Sequence, residues 1–269
     1  MVAHYNRVRG VCGDMAPLLL LLLQTPTPHS ASVYRVSKKV DAPVTIVASL
    51  ATVLPYAFAN RLITPRCPCD PHELNTFDRG AIGNRNDFAR QLSDITVGSI
   101  IILPLVFDAR DVQARGPFQE DMLVFAQTLL VNGALTTAAK FIVQRPLPRT
   151  YAGDPNLIGK PGGYRSFYSG HTSLTFAGLS AAAMTMRLRH GEKYWPWVVT
   201  LIVGSSVAIE RVADGRHFPS DVIVGAVMGT ATGIAVPLLH ARHRVSMAGL
   251  IVRPTPDDHV FIGWSVSVR

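Results

Sequence analysis

The sequence predicts an all-α fold, a six-helix bundle set in a membrane, and three observations carry that prediction. Of the 269 residues, 48% are hydrophobic and only 16% are charged, which is oilier than an ordinary soluble domain. Apolar stretches without Asp, Glu, Lys or Arg recur at 42–60, 95–107, 122–139, 166–186, 194–209 and 222–241. The connections between them, such as RCPCDPHELN and RTYAGDPNLIGKPGG, are rich in Pro, Gly and Asp and cannot continue a helix.

Taken in order, residues 1–32 form a signal-like segment. Arg7 and Arg9 precede a short apolar run at 15–23, and the small residues HSAS follow. The run is too short to span a bilayer. His29 would occupy the third position before a cut after Ala31, so cleavage stays open. Residues 33–245 hold the six apolar stretches and are expected to form one helical domain. Several approach the roughly 20 residues needed to cross a bilayer, whereas the second holds about 13 and the fifth about 16. A fully buried helix in a soluble bundle is the alternative for each. The tail, 246–269, alternates apolar and polar residues over a few positions and suits a strand or a surface segment.

Charge sets the orientation. Lys38-Lys39, RLRHGEK and HARHR fall before the first, after the fourth and after the sixth stretch, all at one end of an antiparallel bundle. Positively charged loops stay in the cytoplasm, so the other end faces outward. That holds for six spans with an uncleaved N-terminus; a cleaved signal would require a soluble bundle or fewer spans. The net charge of +8 suits an anionic partner. Cys12, Cys67 and Cys69 make no disulfide framework and a poor metal signature, so they are read as structural residues.

Polar residues gather at the outward end. Lys140 closes the third stretch, with Arg145 and Arg149 just beyond it; YSGH, with Ser169, Gly170 and His171, opens the fourth. ERVADGRHFPSD, with Arg211, His217 and Asp221, joins the fifth to the sixth. Two histidines, an aspartate and several cations therefore converge. Arg and Lys pair with phosphate oxygens, and a helix N-terminus capped by Ser169 offers free N–H groups to an anion. His217 could attack phosphorus with Asp221, one helical turn on, holding its ring, and His171 could protonate the leaving oxygen. Pro219 suits the first turn of the sixth helix. Each residue alone is more often a cap, a structural histidine or a solvated cation; order and spacing carry the argument.

That combination resembles the superfamily of type-2 phosphatidic acid phosphatases, class A acid phosphatases and vanadium haloperoxidases, whose pattern is K-x6-R-P, P-S-G-H and S-R-x5-H-x3-D. The third part stands here as Arg211, His217 and Asp221, with Glu210 in place of Ser; the second as Tyr168-Ser169-Gly170-His171, with Tyr in place of Pro. In the first, counting from Lys140 places Leu147-Pro148 where Arg-Pro belongs. The resemblance implies that His217 forms a phosphohistidine, Asp221 orients it, His171 acts as acid and then base, and Lys140, Ser169, Gly170 and Arg211 hold the phosphate. It implies no metal and no cofactor. Arg149 is expected to replace the missing arginine. Pro146 and Pro148 should keep the chain extended, so that Arg145 and Arg149 both share the side Leu147 faces, with Arg145 ending the third helix.

The expected function is hydrolysis of a phosphomonoester or pyrophosphate of a lipid, in a bacterial inner membrane with the site toward the periplasm. The partners are the phosphorylated substrate and the membrane, not nucleic acid. Alternatives are a soluble periplasmic acid phosphatase, a vanadium-dependent haloperoxidase and a non-catalytic phospholipid-binding protein.

Overall fold

A computed structural model describes residues 31–67, 69–242, 245–247, 250–254 and 260–264. The signal-like run and Cys12 lie outside the described residues. Among the described residues six long helices form the bundle: α1 (Lys38–Ala57), α2 (Asp87–Val112), α3 (Arg115–Val143), α4 (Gly170–His190), α5 (Trp195–Ala213) and α6 (Pro219–His240). Three single turns, Ala59–Leu62, Thr76–Arg79 and Pro148–Tyr151, lie in the connections between α1 and α2 and between α3 and α4. Beyond α6, Val245–Met247, Leu250–Pro254 and Val260–Trp264 pair as antiparallel strands β1, β2 and β3, in that order.

Helix ends are set by local chemistry rather than by where apolarity stops. α2 reaches 26 residues because the Asn86 side chain caps it by accepting from Ala89 N, and a left-handed Gln113 (φ 51°) ends it. The short second stretch of the sequence is therefore the middle of a much longer helix. α5 likewise runs to 19 residues, with Pro196 in its first turn.

α4 is the central helix. It packs most extensively against α6, then α5 and α3. The contact with α6 is close because Gly225, Gly229 and Gly233 face it at every fourth position. A Cβ at Gly229 would stand 2.2 Å from the Ser173 carbonyl oxygen, and one at Gly233 2.5 Å from that of Ala177. Among the described residues, five helical segments are long and apolar enough to cross a membrane: Lys38–Ala57, Asp87–Val112, Arg115–Tyr151, Trp195–Ala213 and Pro219–His240. α4 falls outside that set because it carries Thr172, Ser173, Thr175 and Ser180, all fully buried, and faces its neighbours instead of lipid. Outward faces are apolar: Ile46 and Val53 on α1, Ile95 and Ile102 on α2, Leu201 and Ile202 on α5, and Ile223 and Val227 on α6 are exposed. Such a surface suits a bilayer, not water.

The end carrying the basic clusters is closed by ion pairs. Arg189 donates to Asp108 Oδ1 at 2.8 Å and to Asp121 Oδ2 at 2.5 Å, and His240 Nε2 meets Asp41 Oδ1 at 2.9 Å. α1, α3 and α5 run from this end toward the other, and α2, α4 and α6 return. The ends of α3 and α5 and the starts of α4 and α6 are thereby brought together.

Candidate active site

Two helix N-termini frame the site. Ser169 caps α4: its Oγ accepts from Thr172 Oγ1 at 3.0 Å and from Thr172 N at 3.5 Å. Its own N–H donates to the Asp221 carbonyl at 3.1 Å, tying the start of α4 to that of α6. α6 begins at Pro219, where a missing N–H costs nothing. Asp221, at the third position of α6, turns back so that Oδ2 accepts from Phe218 N at 3.0 Å and from Ser166 Oγ at 2.5 Å.

His217 lies between these helices, 6% exposed. Its Nδ1 is 2.8 Å from the Ser166 carbonyl oxygen, which can only accept, so Nδ1 carries the proton and Nε2 keeps its lone pair. This corrects the expectation that Asp221 holds the ring directly: its Oδ2 is 3.9 Å from Nδ1, beyond hydrogen-bond reach. Asp221 acts one step removed, fixing Ser166, whose carbonyl fixes His217. Burial drives the His217 pKa down to about 3; Asp221 opposes that, while Lys140 and Arg211 add to it. The ring is therefore neutral near neutral pH, the state in which Nε2 is a nucleophile.

The cations surround this centre. Lys140 is buried near the end of α3, donates Nζ to the Arg165 carbonyl at 2.7 Å, and has its Cε 3.8 Å from where a Gly170 Cβ would stand. Arg211, in the last turn of α5, donates to Ser93 Oγ at 3.1 Å and lies 3.3 Å from Asp214 Oδ2. Arg149 Nη2 donates to Asp214 Oδ1 at 3.0 Å, so one fully buried carboxylate holds both arginines. The buried Nε atoms of Arg149 and Arg211 have no hydrogen-bond partner among the described residues. His171, in the first turn of α4, has Nε2 2.8 Å from Asp94 Oδ1. Lys140 and Arg211 are within electrostatic range of both imidazoles.

Arg145 and Arg149 do not share a side, contrary to expectation. Pro148 starts a helical turn, Pro148–Tyr151, which swings Arg149 toward Asp214, and Arg149 N donates to the Gly215 carbonyl at 3.3 Å. Arg145 donates Nη1 to Asp221 Oδ1 at 2.6 Å and Ser220 Oγ at 2.8 Å, and Nη2 to Asp78 Oδ2 at 2.8 Å. Its guanidinium also lies 4.1 Å over the Phe218 ring. Arg145 is thus committed to neighbours, whereas Arg149 stands beside Arg211. Leu147 is buried, its N–H donating to the Gly163 carbonyl at 2.9 Å.

Asp78, Asp94, Ser166 and Asp214 went unrecognised in the sequence. Asp94 carried a signal, since an acid embedded among the apolar residues of a long helix is a functional candidate by default. Asp78 comes from a connection with no motif. Burial raises its pKa, yet bonds from Ser220 and Arg145 outweigh that and hold the carboxyl below its ordinary value. In the same connection Cys67 and Cys69 form a disulfide. Among the described residues no group of three His, Cys, Asp or Glu side chains could hold a metal ion.

Comparison with known proteins finds a family this arrangement is similar to. Residues 121–244 match the model of the PAP2 superfamily. Among curated relatives it is 38% identical over 82 residues to a probable diacylglycerol pyrophosphate phosphatase 1 of Schizosaccharomyces pombe, covering 28% of this chain and 29% of that one. It is 33% identical over 128 residues to a probable lipid phosphate phosphatase 4 of Arabidopsis thaliana, covering 37% and 41%. The chain therefore spans well under half the length of these relatives. Among solved structures, Aquifex aeolicus LpxE aligns at 25% identity over 59% of this chain and 90% of that one, with a TM-score of 0.44. A Bacillus subtilis transmembrane PAP2-type phosphatidylglycerolphosphate phosphatase aligns at 17% identity over 73% and 93%, with a TM-score of 0.34.

Proposed function

We propose that the protein is a lipid phosphate phosphatase that works without a metal through a phosphohistidine. The observation that carries this is His217: a neutral imidazole with Nδ1 held on a backbone carbonyl and Nε2 unprotonated, within electrostatic range of Lys140 and Arg211, with Arg149 on the carboxylate that also holds Arg211. In the first step Nε2 bonds to phosphorus, the bond to the leaving oxygen breaks, and that oxygen takes a proton from His171. The ring becomes positive on phosphorylation, and Asp221 stabilises that charge across 3.9 Å. In the second step His171 takes a proton from water, the oxygen attacks phosphorus, and the P–N bond breaks to release inorganic phosphate and neutral His217. The N–H groups after Ser169 and the three cations stabilise the equatorial oxygens, where charge builds up.

The apolar flanks of the bundle and what the named relatives are called support a lipid substrate. The disulfide lies at the site-bearing end and the basic clusters at the other, which supports a site facing away from the cytoplasm. A bacterial inner membrane with the site toward the periplasm is one form of that placement; the curated relatives named above are eukaryotic. The division proposed is a signal-like segment at 1–32, the phosphatase domain at 33–245 and a tail at 246–269.

The test is turnover by the full chain in detergent on phosphatidate, diacylglycerol pyrophosphate and an aryl phosphate, with a strong chelator present throughout. Release of phosphate from the lipids is expected. Activity lost in chelator and restored by magnesium would defeat the metal-free mechanism, and vanadate-dependent halide oxidation would point to a haloperoxidase. Arg149→Ala is expected to lower kcat/KM at least about 10-fold, or about 1.4 kcal/mol of transition-state stabilisation. Its melting temperature should move little, because Asp214 keeps Arg211.

A further inference from the structure

We propose that Asp94 is the positioning residue for His171, holding its imidazolium in place so that the ring can deliver a proton to the leaving oxygen. This rests on the phosphatase reading and adds to it a residue from α2, a helix outside the matched segment 121–244. The environment of His171 is hostile to a protonated ring. It sits in the first turn of α4, where the helix dipole disfavours positive charge, and Lys140 of α3 and Arg211 of α5 both repel it. Asp94, from α2, is the one acid among the described residues that touches it, at 2.8 Å from Nε2. The same oxygen is 3.8 Å from Arg211 Nη1, so Asp94 stands between the acid and a cation of the cage.

Geometry separates this pair from a structural ion pair. The side chains of His171 and Asp94 are 34% and 56% exposed, whereas those of Arg145 and Asp78 are 18% and 1%. An ion pair open to solvent adds little stability. It does keep an exchangeable proton at the mouth of the site, where substrate arrives and alcohol leaves. His171 Nε2 is engaged by Asp94 and Nδ1 remains for the leaving oxygen, which is the arrangement a held general acid requires.

The experiment compares wild type with Asp94→Asn and Asp94→Glu, as full chains in detergent, on an alkyl phosphate and on 4-nitrophenyl phosphate. A nitrophenolate leaves without protonation, so kcat/KM for it should fall less than about 3-fold in Asp94→Asn. The alkyl ester should lose about 10- to 100-fold, the lower part of the general-acid range. The alkaline limb of the alkyl profile should move to lower pH, because His171 loses the carboxylate that favours its charged form. Asp94→Glu should restore part of the loss. Equal losses on both esters with an unmoved limb would overturn the proposal. The His171 Cε1–H NMR titration is read in the same samples. A midpoint unchanged by Asp94→Asn overturns the pairing whatever the turnover, whereas an inactive wild type with a shifted midpoint overturns the phosphatase reading and upholds the pairing.

Discussion

His217→Ala is expected to reduce phosphate release by at least about 10^4-fold, on the scale seen when a catalytic nucleophile is removed. No neighbour can take its place: Nε2 is defined by the bond from Nδ1 to the Ser166 carbonyl, and the other imidazole, His171, is engaged by Asp94. The fold should survive. One neutral hydrogen bond is lost, which costs about 1 kcal/mol, and Asp221 keeps its bonds from Ser166, Phe218 and Arg145. The check is turnover and thermal unfolding on one preparation. Activity within 10-fold of wild type would remove His217 as nucleophile.

Arg145→Ala is expected to cost stability first, by about 3–5 kcal/mol, the range for removing one partner of a buried ion pair. The asymmetry with Arg149 is physical. Arg145 is the countercharge of both Asp221 and Asp78, which are 0% and 1% exposed, and it locks the connection before α2 onto the start of α6. Without it two carboxylates are buried with only neutral donors. Arg145→Lys should rescue only in part, since one ammonium cannot span two carboxylates as a planar fork does. Denaturant unfolding decides this: a midpoint within error of wild type for Arg145→Ala, with activity alone lost, would make Arg145 a phosphate ligand and undo the assignment to Arg149.

The six long helices were legible because each apolar stretch had to be buried or placed in lipid, and the connections between them could not be helical. The convergence of Lys140, Ser169, His171, Arg211 and His217 followed from antiparallel order alone. What stayed hidden depends on atoms that sequence patterns do not describe. The partner of His217 is a backbone carbonyl, and a carbonyl belongs to every residue. Asp94 was excluded because the apolar stretch begins at Ile95, yet the Asn86 cap starts the helix two turns earlier and places Asp94 at the mouth of the site. The direction of Arg149 depends on the turn that begins at Pro148, which an extended Pro-x-Pro segment does not suggest. The interior position of α4 required knowing that its hydroxyls are buried against its neighbours.

The most direct test of the account is to trap the covalent intermediate. The full chain is mixed with substrate in the presence of chelator, quenched without acid, digested at alkaline pH and mapped by mass spectrometry. An acid-labile, base-stable phosphoryl group is expected on His217, absent from His217→Ala. A phosphoryl group on another residue, or none while wild type turns over through a step that needs added magnesium, would contradict it.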